Sequence, residues 1–388
     1  MREVTRDFPI EKFENIQTPF YYYNTQLLKE TLDVINSETS KFDNYHVHYA
    51  VKANANPIIL GIIKDAGLGA DCVSGGEVEA ALKAGFTPDK IVFAGVGKSD
   101  WEITLALEAG ISCFNVESIP ELENIDRIAK EMRKCASVAL RINPNVDAHT
   151  HSYITTGLSE NKFGIDISMI DNVLECLTQL SNVKLVGLHF HFGSQITDMD
   201  SFRSLAIRIN EIQEIFYRRM VIVDNINVGG GLGVDYQNPD INPIPDFHAY
   251  FETFRKHLVL RPKQHLHFEL GRSVVCQCGT LISKVLYVKE GIGKKFAILD
   301  AGMTDLIRPA LYQAYHKIEN ISSDAEKEAY DVVGPICESS DCFGKAIELN
   351  STKRGDLIAI RSAGAYGEIM ASQYNCRRLP KPYFSDKI

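Results

Sequence analysis

The feature that most constrains the fold is an eightfold alternation between residues 46 and 272. Short apolar runs rich in β-branched residues alternate there with amphipathic stretches in which Leu, Ile and Ala recur at helical spacing. The eight runs are residues 46–53, 67–74, 90–97, 113–118, 137–144, 185–194, 225–233 and 266–272. Strands that alternate with helices form a parallel sheet, and eight such units close a (β/α)8 barrel. The pattern therefore predicts an α/β fold built on a TIM-type barrel, with an open doubly wound sheet as the alternative.

The residues on either side of this alternation have a different pattern. Residues 24–41 predict an additional helix, and residues 18–23 a lone strand. After residue 272 the chain consists of short strands joined by turns, with few helices. We therefore expect a barrel at 25–272 and a mainly-β domain, sandwich-like or barrel-like, formed by 1–24 and 273–388.

Length, composition and charge narrow the class of protein. A chain of 388 residues with 45% apolar residues suggests two domains with sizeable cores. The net charge of −9 without a basic block argues against nucleic acid as a partner. No signal-peptide pattern and no run of eighteen apolar residues is present, so we expect no membrane span and a cytoplasmic location. The nine dispersed cysteines predict reduced thiols.

Polar residues are concentrated where the predicted strands end. The active sites of such barrels lie at the C-terminal ends of the strands, so these side chains are expected to converge. They are Lys52, Asp71, Ser74, Glu117, Arg141, His189, His191, Ser194, Gly229, Gly230, Gly231, Glu269 and Arg272. The long connection 145–164 is a candidate lid.

Two kinds of chemistry suit these residues. His189 and His191 have the spacing of metal ligands on one face of a strand, but Asp71 is the only evident further ligand, so we expect no metal. A lysine, a flat ring, a carboxylate and a glycine-rich anion site together suggest pyridoxal phosphate. Lys52 would then bind the cofactor covalently, although a lysine in this position taken alone is more typical of an exposed loop.

In the same scheme His191 would stack on the cofactor ring and Glu269 would face its pyridine nitrogen. The backbone N–H groups of 229–231 and the hydroxyl of Ser194 would bind its phosphate.

Several motifs carry a resemblance to a known family. In the barrel they are YAVKAN (49–54), GLHFHFGSQ (187–195), GGGLG (229–233) and ELGR (269–272), where Leu270 replaces the usual proline. In the C-terminal region they are RPALYQAYH (308–316), GPICESSDCFG (334–344) and SAGAYGEIMASQYN (362–375). With these motifs the sequence resembles the barrel-type (fold type III) pyridoxal-phosphate decarboxylases, and among them the diaminopimelate decarboxylases.

The resemblance implies a small-molecule substrate and a specific reaction. It implies decarboxylation of meso-2,6-diaminopimelate to L-lysine and CO2, the last step of lysine biosynthesis, with Lys52 and Cys337 as catalytic residues and Cys337 as the acid. The implied cofactor-binding residues are Lys52, His191, Ser194, Gly229, Gly230, Gly231, Glu269, Gly271, Arg272 and Tyr366. The implied substrate-binding residues are Arg272, Arg308, Tyr312, Glu338 and Tyr366. It also implies an obligate homodimer in which the loop of Cys337 and Glu338 enters the neighbour's active site.

The charges of these residues suit that substrate. Two arginines and a glutamate match two carboxylates and a distal ammonium, and a substrate without the second carboxylate would leave an arginine unpaired. The alternatives are a related decarboxylase acting on carboxynorspermidine, ornithine or arginine and, less favoured, an amino-acid racemase or a non-catalytic cofactor carrier. A racemase needs a second catalytic base, and a carrier would lack the C-terminal motifs.

Overall fold

The computed structural model describes residues 8–145 and 162–388. The chain divides into two compact units, and each is described by itself below. The first, the barrel unit, comprises Leu32–Gly233 and Asp246–Gly271. The second, the β unit, comprises Met1–Thr31, Val234–Pro245 and Arg272–Ile388.

The strands of the described residues are short. Strands β1 to β16 span Phe20–Tyr23, Tyr45–Ala50, Gly69–Cys72, Ile91–Phe93, Cys113–Val116, Ala136–Arg141, Val183–His189, Asn225–Asn227, His265–Leu270, Gly279–Gly291, Lys294–Leu299, Ile318–Asn320, Lys327–Val333, Cys342–Asn350, Leu357–Ile360 and Lys381–Phe384.

The helices α1 to α11 span Ile10–Phe13, Thr25–Thr39, Pro57–Asp65, Gly75–Lys83, Asp100–Ala109, Ile119–Glu131, Ile170–Gln179, Met199–Arg218, Phe247–His257, Arg272–Val275 and Arg308–Tyr312. Short 3-10 turns occupy Val51–Ala53, Pro88–Lys90, Ile167–Met169, Glu368–Met370 and Tyr374–Cys376.

The barrel unit contains the predicted closed barrel. Strands β2 to β9 pair in chain order, every pair is parallel, and β9 returns to β2. The helices between them face the sheet with apolar stripes. Helix α8 shows why: Asp198 accepts from the backbone N–H of Ser201 at 3.0 Å and so caps the first turn, and buried Phe202, Leu205 and Ile209 follow at helical spacing. The prediction of a (β/α)8 barrel is confirmed.

The observed barrel strands end earlier than the predicted runs did. The run predicted at 225–233 becomes the strand Asn225–Asn227, and that at 185–194 becomes Val183–His189. All eight predicted runs extend beyond the last strand residue, because the apolar and glycine-rich segments that follow the strands are loops. His189 and His191 therefore do not lie on one face of a strand, since the strand ends at His189.

The β unit contains one mixed eight-stranded sheet. Its main path runs β12-β15-β10-β11-β13-β14, and β1 joins it by pairing antiparallel to β10 and parallel to β16. The expectation that the N-terminal strand belongs to the β domain is therefore confirmed. The long β10 joins the two parts of the sheet, since it also pairs with β11 and β15.

The observed units differ from the predicted domain boundaries at residues 25–31, 234–245 and 272, which were expected in the barrel domain and lie in the β unit. For 234–245 the cause is a set of polar contacts: the Asp240 carboxylate pairs with Arg361 at 2.5 Å and with Lys317 at 3.2 Å, and the Gln277 side chain donates to the Asp235 carbonyl oxygen at 2.8 Å. The boundaries of the functional domains themselves stay a prediction.

Two further expectations concern segments rather than the core. Most of the candidate lid, 146–161, lies outside the described residues. Across 8–145 and 162–388, no helix combines the length and the apolar character needed to cross a membrane.

Candidate active site

The predicted cofactor residues of the barrel unit lie just past the ends of its strands. Lys52 occupies the 3-10 turn Val51–Ala53, directly after β2. Gly271 follows β9 and packs against this turn, because a Cβ on Gly271 would lie 3.0 Å from the Cβ of Ala50 and 3.2 Å from that of Ala53. The strand end and the turn that carries the lysine therefore support each other.

The carboxylate of Glu269 has three side-chain hydrogen-bond partners. Its Oε1 accepts from the side-chain amides of Asn227 at 2.7 Å and Asn115 at 3.1 Å, and its Oε2 lies 2.9 Å from Nε2 of His189. Burial raises the pKa of Glu269, but the contact with His189 and the charge of Lys52 outweigh it, so the net pKa lies below its ordinary value. The group is a buried, ionised carboxylate held in one orientation.

Lys52 lies among acidic groups of the barrel. Its charge acts to lower the pKa of Asp71, Glu77 and Glu269. Burial nevertheless raises the pKa of Asp71 well above its ordinary value, and the negative charge of Glu269 adds to the effect. Oδ1 of Asp71 is buried without a hydrogen-bond partner among the described residues. A buried polar atom of this kind marks a place where a bound polar group would find a partner.

His191 is a half-buried, neutral ring. Burial lowers its pKa well below the ordinary value, and the nearby charges of Lys52 and Arg141 act in the same direction. The backbone N–H of Gly230 donates to Nδ1 of His191 at 3.4 Å. A flat, uncharged imidazole fixed against a glycine loop is suited to stacking on a heteroaromatic ring.

The loop 229–231 requires glycine. A Cβ on Gly230 would lie 1.9 Å from the carbonyl oxygen of Glu269, and one on Gly229 would lie 2.3 Å from that of Phe190. Gly229 and Gly231 also have φ of +70° and +108°, which favour glycine. The backbone of this loop carries no side chains, which is typical of anion-binding loops.

Ser194 lies in the loop that runs beside these glycines. The N–H of Ile196 donates to the carbonyl oxygen of Gly231 at 2.9 Å, and the N–H of Gly233 donates to that of Ile196 at 2.9 Å. These two bonds join the loop of Ser194 to the loop 229–231. The serine hydroxyl and the glycine N–H groups, which are the predicted phosphate donors, therefore lie in two loops that are bonded to each other.

Other predicted strand-end residues have structural contacts. Ser74 caps α4 by accepting from the N–H of Glu77 at 3.2 Å. Arg141 donates to Oε1 of Glu117 at 2.7 Å, and Oε2 of Glu117 accepts from the N–H of Gly164 at 2.8 Å. These side chains therefore have structural partners at the ends of the barrel strands.

The barrel residues fit pyridoxal phosphate. The glycine loop that no Cβ could occupy, the neutral ring of His191, the ionised Glu269 and the amine of Lys52 correspond to the cofactor's phosphate, ring face, pyridine nitrogen and aldehyde. A metal centre finds less support, because His189 is already bonded to Glu269. Within 8–145 and 162–388, no group of three or more His, Cys, Asp or Glu side chains is placed to bind a metal.

In the β unit, Arg272 begins α10 and is buried. Its Nη1 donates to the Tyr236 hydroxyl at 2.6 Å, and its guanidinium lies 4.9 Å from the ring centroid of Tyr366. Tyr366 has φ of +55°, a conformation that non-glycine residues rarely adopt. Two of the predicted ligand-binding residues are therefore brought together in this unit.

Arg308 is buried without a carboxylate. Its Nη1 donates to Nε2 of His316 at 2.8 Å, and its guanidinium lies 5.1 Å from the ring centroid of Tyr236. In the part of the chain that the structure describes, it forms no ion pair and no second side-chain hydrogen bond. Tyr312, the last residue of the same short helix, is half-buried. The β unit therefore holds a buried cation without a carboxylate partner among the described residues.

Cys337 and Glu338 are exposed in the single chain. The hydroxyl of Tyr374 donates to Oε1 of Glu338 at 2.7 Å, and this contact raises the pKa of Tyr374. The structure thus places the two residues on the surface of the β unit, with the carboxylate of Glu338 oriented by a tyrosine.

Sequence reasoning missed several residues that hold the predicted ones. They are Asn115, Asn227, Tyr236, His316 and Tyr374, together with the contact of His189 to Glu269. A signal existed for His316, which ends the motif RPALYQAYH, but nothing in the spacing indicated its contact with Arg308.

Comparisons with known proteins agree with this geometry. The family model "Pyridoxal-dependent decarboxylase, pyridoxal binding domain" matches residues 30–276. A diaminopimelate decarboxylase of Bacteroides thetaiotaomicron is 66% identical over 98% of this chain and 99% of that protein. One of Aquifex aeolicus is 40% identical over 95% of this chain and 86% of that protein.

Solved structures give the same result. The crystal structure of diaminopimelate decarboxylase from Helicobacter pylori complexed with L-lysine is 40% identical to this chain, with a TM-score of 0.91 over 97% of this chain and 94% of that one. Both the sequence and the fold match over nearly the full length. The chain therefore belongs to the diaminopimelate decarboxylase family of pyridoxal-dependent decarboxylases.

Proposed function

We propose that the protein decarboxylates meso-2,6-diaminopimelate to L-lysine and CO2 with pyridoxal phosphate as cofactor. The relatives support the reaction, since they are named diaminopimelate decarboxylases and the Helicobacter pylori structure contains L-lysine. The observation in this chain that carries the proposal is Arg308, a buried guanidinium whose only hydrogen-bond acceptor among the described side chains is a neutral imidazole. Such a cation requires a carboxylate from the substrate.

The cofactor would be held by residues of several loops. Lys52 would bind it covalently, His191 would stack on its ring, and Glu269 would accept from its pyridine nitrogen. Gly229, Gly230, Gly231 and Ser194 would bind the phosphate, and Gly271, Arg272 and Tyr366 complete the set that the family resemblance assigns. Bound pyridoxal phosphate supplies an electron sink for the carbanion that loss of CO2 leaves behind.

The chain's own residues then govern charge and protons around that sink. Glu269 stays ionised because His189 and Lys52 stabilise its negative charge, and it would therefore stabilise a proton on the pyridine nitrogen of a bound cofactor. His191 stays neutral, so it adds no positive charge above the ring. Electron withdrawal by a bound cofactor would thus depend on Glu269 rather than on the imidazole of His191.

Substrate recognition is assigned to the β unit. Arg272 and Arg308 would bind carboxylates, with Tyr312 and Tyr366 beside them, and Glu338 would bind the distal ammonium. Arg–carboxylate pairs are among the stronger charged contacts because two parallel N–H bonds can form. Ornithine, which lacks the second carboxylate, should react poorly, because a desolvated arginine would remain unpaired.

Cys337 is the proposed acid that protonates the carbon after CO2 has left. A thiol on an exposed loop does not serve a buried reaction within a single chain, so the exposure of Cys337 supports a second copy that covers it. An exposed aromatic side chain beside this loop supports the same conclusion: Tyr374, which donates to Glu338, is 50% exposed. We therefore propose a homodimer in which this loop completes the neighbour's active site.

The reaction is tested by CO2 release from purified protein supplied with pyridoxal phosphate. Meso-diaminopimelate, ornithine, arginine and carboxynorspermidine are compared at equal concentration. We expect release from the first and little from the others, and preferred turnover of any of the other three would assign the chain a different substrate.

The dimer is tested by mixing two inactive variants, Lys52→Ala and Cys337→Ala. If Cys337 acts in the neighbour's site, each mixed dimer has one site with both residues intact, and about a quarter of the native activity returns on random reassortment of a two-fold dimer. If Cys337 acts in its own chain's site, mixing restores none. Cys342→Ala is the matched control and should keep native turnover.

A further inference from the structure

The tautomer of His316 is fixed by its two neighbours. Nδ1 lies 2.9 Å from the carbonyl oxygen of Arg361, and a carbonyl oxygen only accepts, so Nδ1 carries the proton. Nε2 lies 2.8 Å from Nη1 of Arg308, and a guanidinium only donates, so Nε2 accepts. Burial and the charge of Arg308 lower the pKa of His316 to about 3, in agreement with a neutral ring.

A neutral acceptor has a particular effect on Arg308. It fixes the orientation of the guanidinium and leaves its full positive charge available, whereas a carboxylate in the same place would neutralise it. Arg141 in the barrel unit shows the other case, since Glu117 accepts from it at 2.7 Å. His316 therefore orients Arg308 without competing with an anionic ligand.

Tyr236 contacts both arginines of the pair. Its hydroxyl accepts from Nη1 of Arg272 at 2.6 Å, and its ring lies beneath the guanidinium of Arg308 at 5.1 Å. The same ring meets the His316 ring edge-on, with centroids 5.3 Å apart at 81°. Burial raises the pKa of Tyr236 to about 12, so it remains an uncharged phenol. One side chain thus sets the spacing of two cations.

The backbone that carries these side chains is anchored as well. Asp240, in the same segment as Tyr236, pairs with the guanidinium of Arg361 at 2.5 Å. The carbonyl oxygen of Arg361 is the acceptor of the His316 proton. Arg361 therefore holds both the segment 234–245 and His316. The side chains of Tyr236, Arg272, Arg308 and His316 are joined to one another by the contacts described above.

We propose that His316 and Tyr236 are positioning residues that fix Arg308 and Arg272 for the carboxylates of the substrate. The inference rests on the proposed function, because it takes the two arginines to be the substrate's carboxylate ligands. Neither His316 nor Tyr236 needs to touch the substrate, and both act through the guanidinium groups.

The two nitrogens of His316 allow a matched pair of variants. His316→Gln places an amide oxygen near the position of Nε2 and keeps an acceptor for Arg308. His316→Asn places an amide nitrogen near the position of Nδ1, keeps the donor to Arg361 and leaves Arg308 without an acceptor. If His316 positions Arg308, His316→Gln should retain function and His316→Asn should lose it.

The expected effect falls on binding rather than on chemistry. Loss of a hydrogen bond to a charged group should lower kcat/KM for meso-diaminopimelate about 10- to 100-fold in His316→Asn, mainly through KM. The kcat/KM of His316→Gln for the same substrate should stay within about threefold of the native value. Tyr236→Phe, which keeps the ring and removes the acceptor for Arg272, should lose about tenfold. His248→Asn, at an exposed histidine, is the control.

A second readout is independent of turnover. Pimelate has the carbon chain and both carboxylates of the substrate but no amino groups, and its dissociation constant can be measured by calorimetry on the cofactor-loaded protein. In His316→Asn the dissociation constant of pimelate should rise by at least the factor by which KM rises. The cofactor absorbance and the melting temperature should be unchanged.

The inference is overturned if the Asn and Gln variants behave alike, whether both match the native protein or both lose stability together. Failure of the proposed function looks different. In that case the native protein releases no CO2 from meso-diaminopimelate, while pimelate binding still separates the Asn variant from the Gln variant.

Discussion

Two buried arginines, Arg141 in the barrel unit and Arg308 in the β unit, have opposite kinds of partner. In the barrel unit Arg141 pairs with Glu117 at 2.7 Å, Lys98 pairs with Glu121 at 2.6 Å, and Glu269 has three hydrogen-bond partners. In the β unit Arg308 is equally buried, and among the described residues the one side chain that accepts a hydrogen bond from it is a neutral imidazole.

The difference separates two tasks. A compensated network holds its side chains in place whether or not a ligand is present, which suits a site that fixes a resident cofactor. An uncompensated cation is costly to bury, and an anionic ligand removes that cost when it binds. Under the proposed function, the barrel unit would hold the cofactor and the β unit would select the substrate by its carboxylates.

The largest effect should come from Lys52, the one barrel cation whose proposed partner is the cofactor. Lys52→Ala should reduce decarboxylation on the order of 10³-fold or more, because the covalent attachment is lost. Borohydride reduction of the native protein followed by peptide mass analysis should find the cofactor on Lys52. Lys64→Ala, on the exposed face of α3, is the control, and labelling of any other lysine would refute the assignment.

The next effect sharpens the contrast between the units. Arg308→Met should lower kcat/KM for meso-diaminopimelate by up to about 10⁴-fold, because the substrate's carboxylate loses its partner. Its free energy of unfolding should stay the same or rise, since an uncompensated buried charge is replaced by an apolar side chain of similar size. Chemical denaturation measures the second quantity, and a marked loss of stability would show that Arg308 has a structural role instead.

The barrel arginine should behave in the opposite way. Arg141→Met leaves the carboxylate of Glu117 buried beside a methionine, and breaking a buried pair on one side typically costs about 3–5 kcal/mol. We therefore expect a strong fall in the free energy of unfolding in Arg141→Met. The double variant Arg141→Met with Glu117→Gln should recover part of it, and equal stability of the Arg141 and Arg308 variants would remove the contrast.

Much of the barrel could be predicted from the sequence, because a period of two in the strands and of about 3.6 in the helices is a local property. The strand ends could not. Lys52, His191 and Gly229 lie beyond the last paired residue, where the chain stays apolar and small but turns away from the ladder. Composition does not distinguish a strand from the glycine-rich loop that continues it.

The site showed the same division. Residues that act through their own chemistry, such as Lys52 and Glu269, were predicted because a lysine or carboxylate at a strand end is informative by itself. Tyr236 and His316 were missed as site residues because their roles depend on contacts with Arg272 and Arg308, which only the folded chain brings to them.

The smallest effect concerns acid. His48 in the barrel unit and His316 in the β unit are both buried, and burial lowers their pKa to about 4 and about 3. Below the ordinary value of about 6.5 the unfolded chain binds protons that the folded chain does not, so stability falls as the pH drops, by about 1.4 kcal/mol per pH unit for each such histidine.

The pH dependence can be divided between the units. Denaturation at pH 7, 6 and 5 should show this decline, and His48→Asn should make it shallower without changing substrate affinity. A slope that is unchanged in His48→Asn would show that this histidine is already protonated in the folded barrel.

The most direct test of the account follows both products of one reaction. The purified protein, loaded with pyridoxal phosphate, is incubated with meso-2,6-diaminopimelate, and L-lysine and CO2 are measured in the same sample. The account predicts that the two appear in equal amounts and that Lys52→Ala forms neither. Formation of another diaminopimelate stereoisomer without CO2, or no conversion by the native protein, would contradict it.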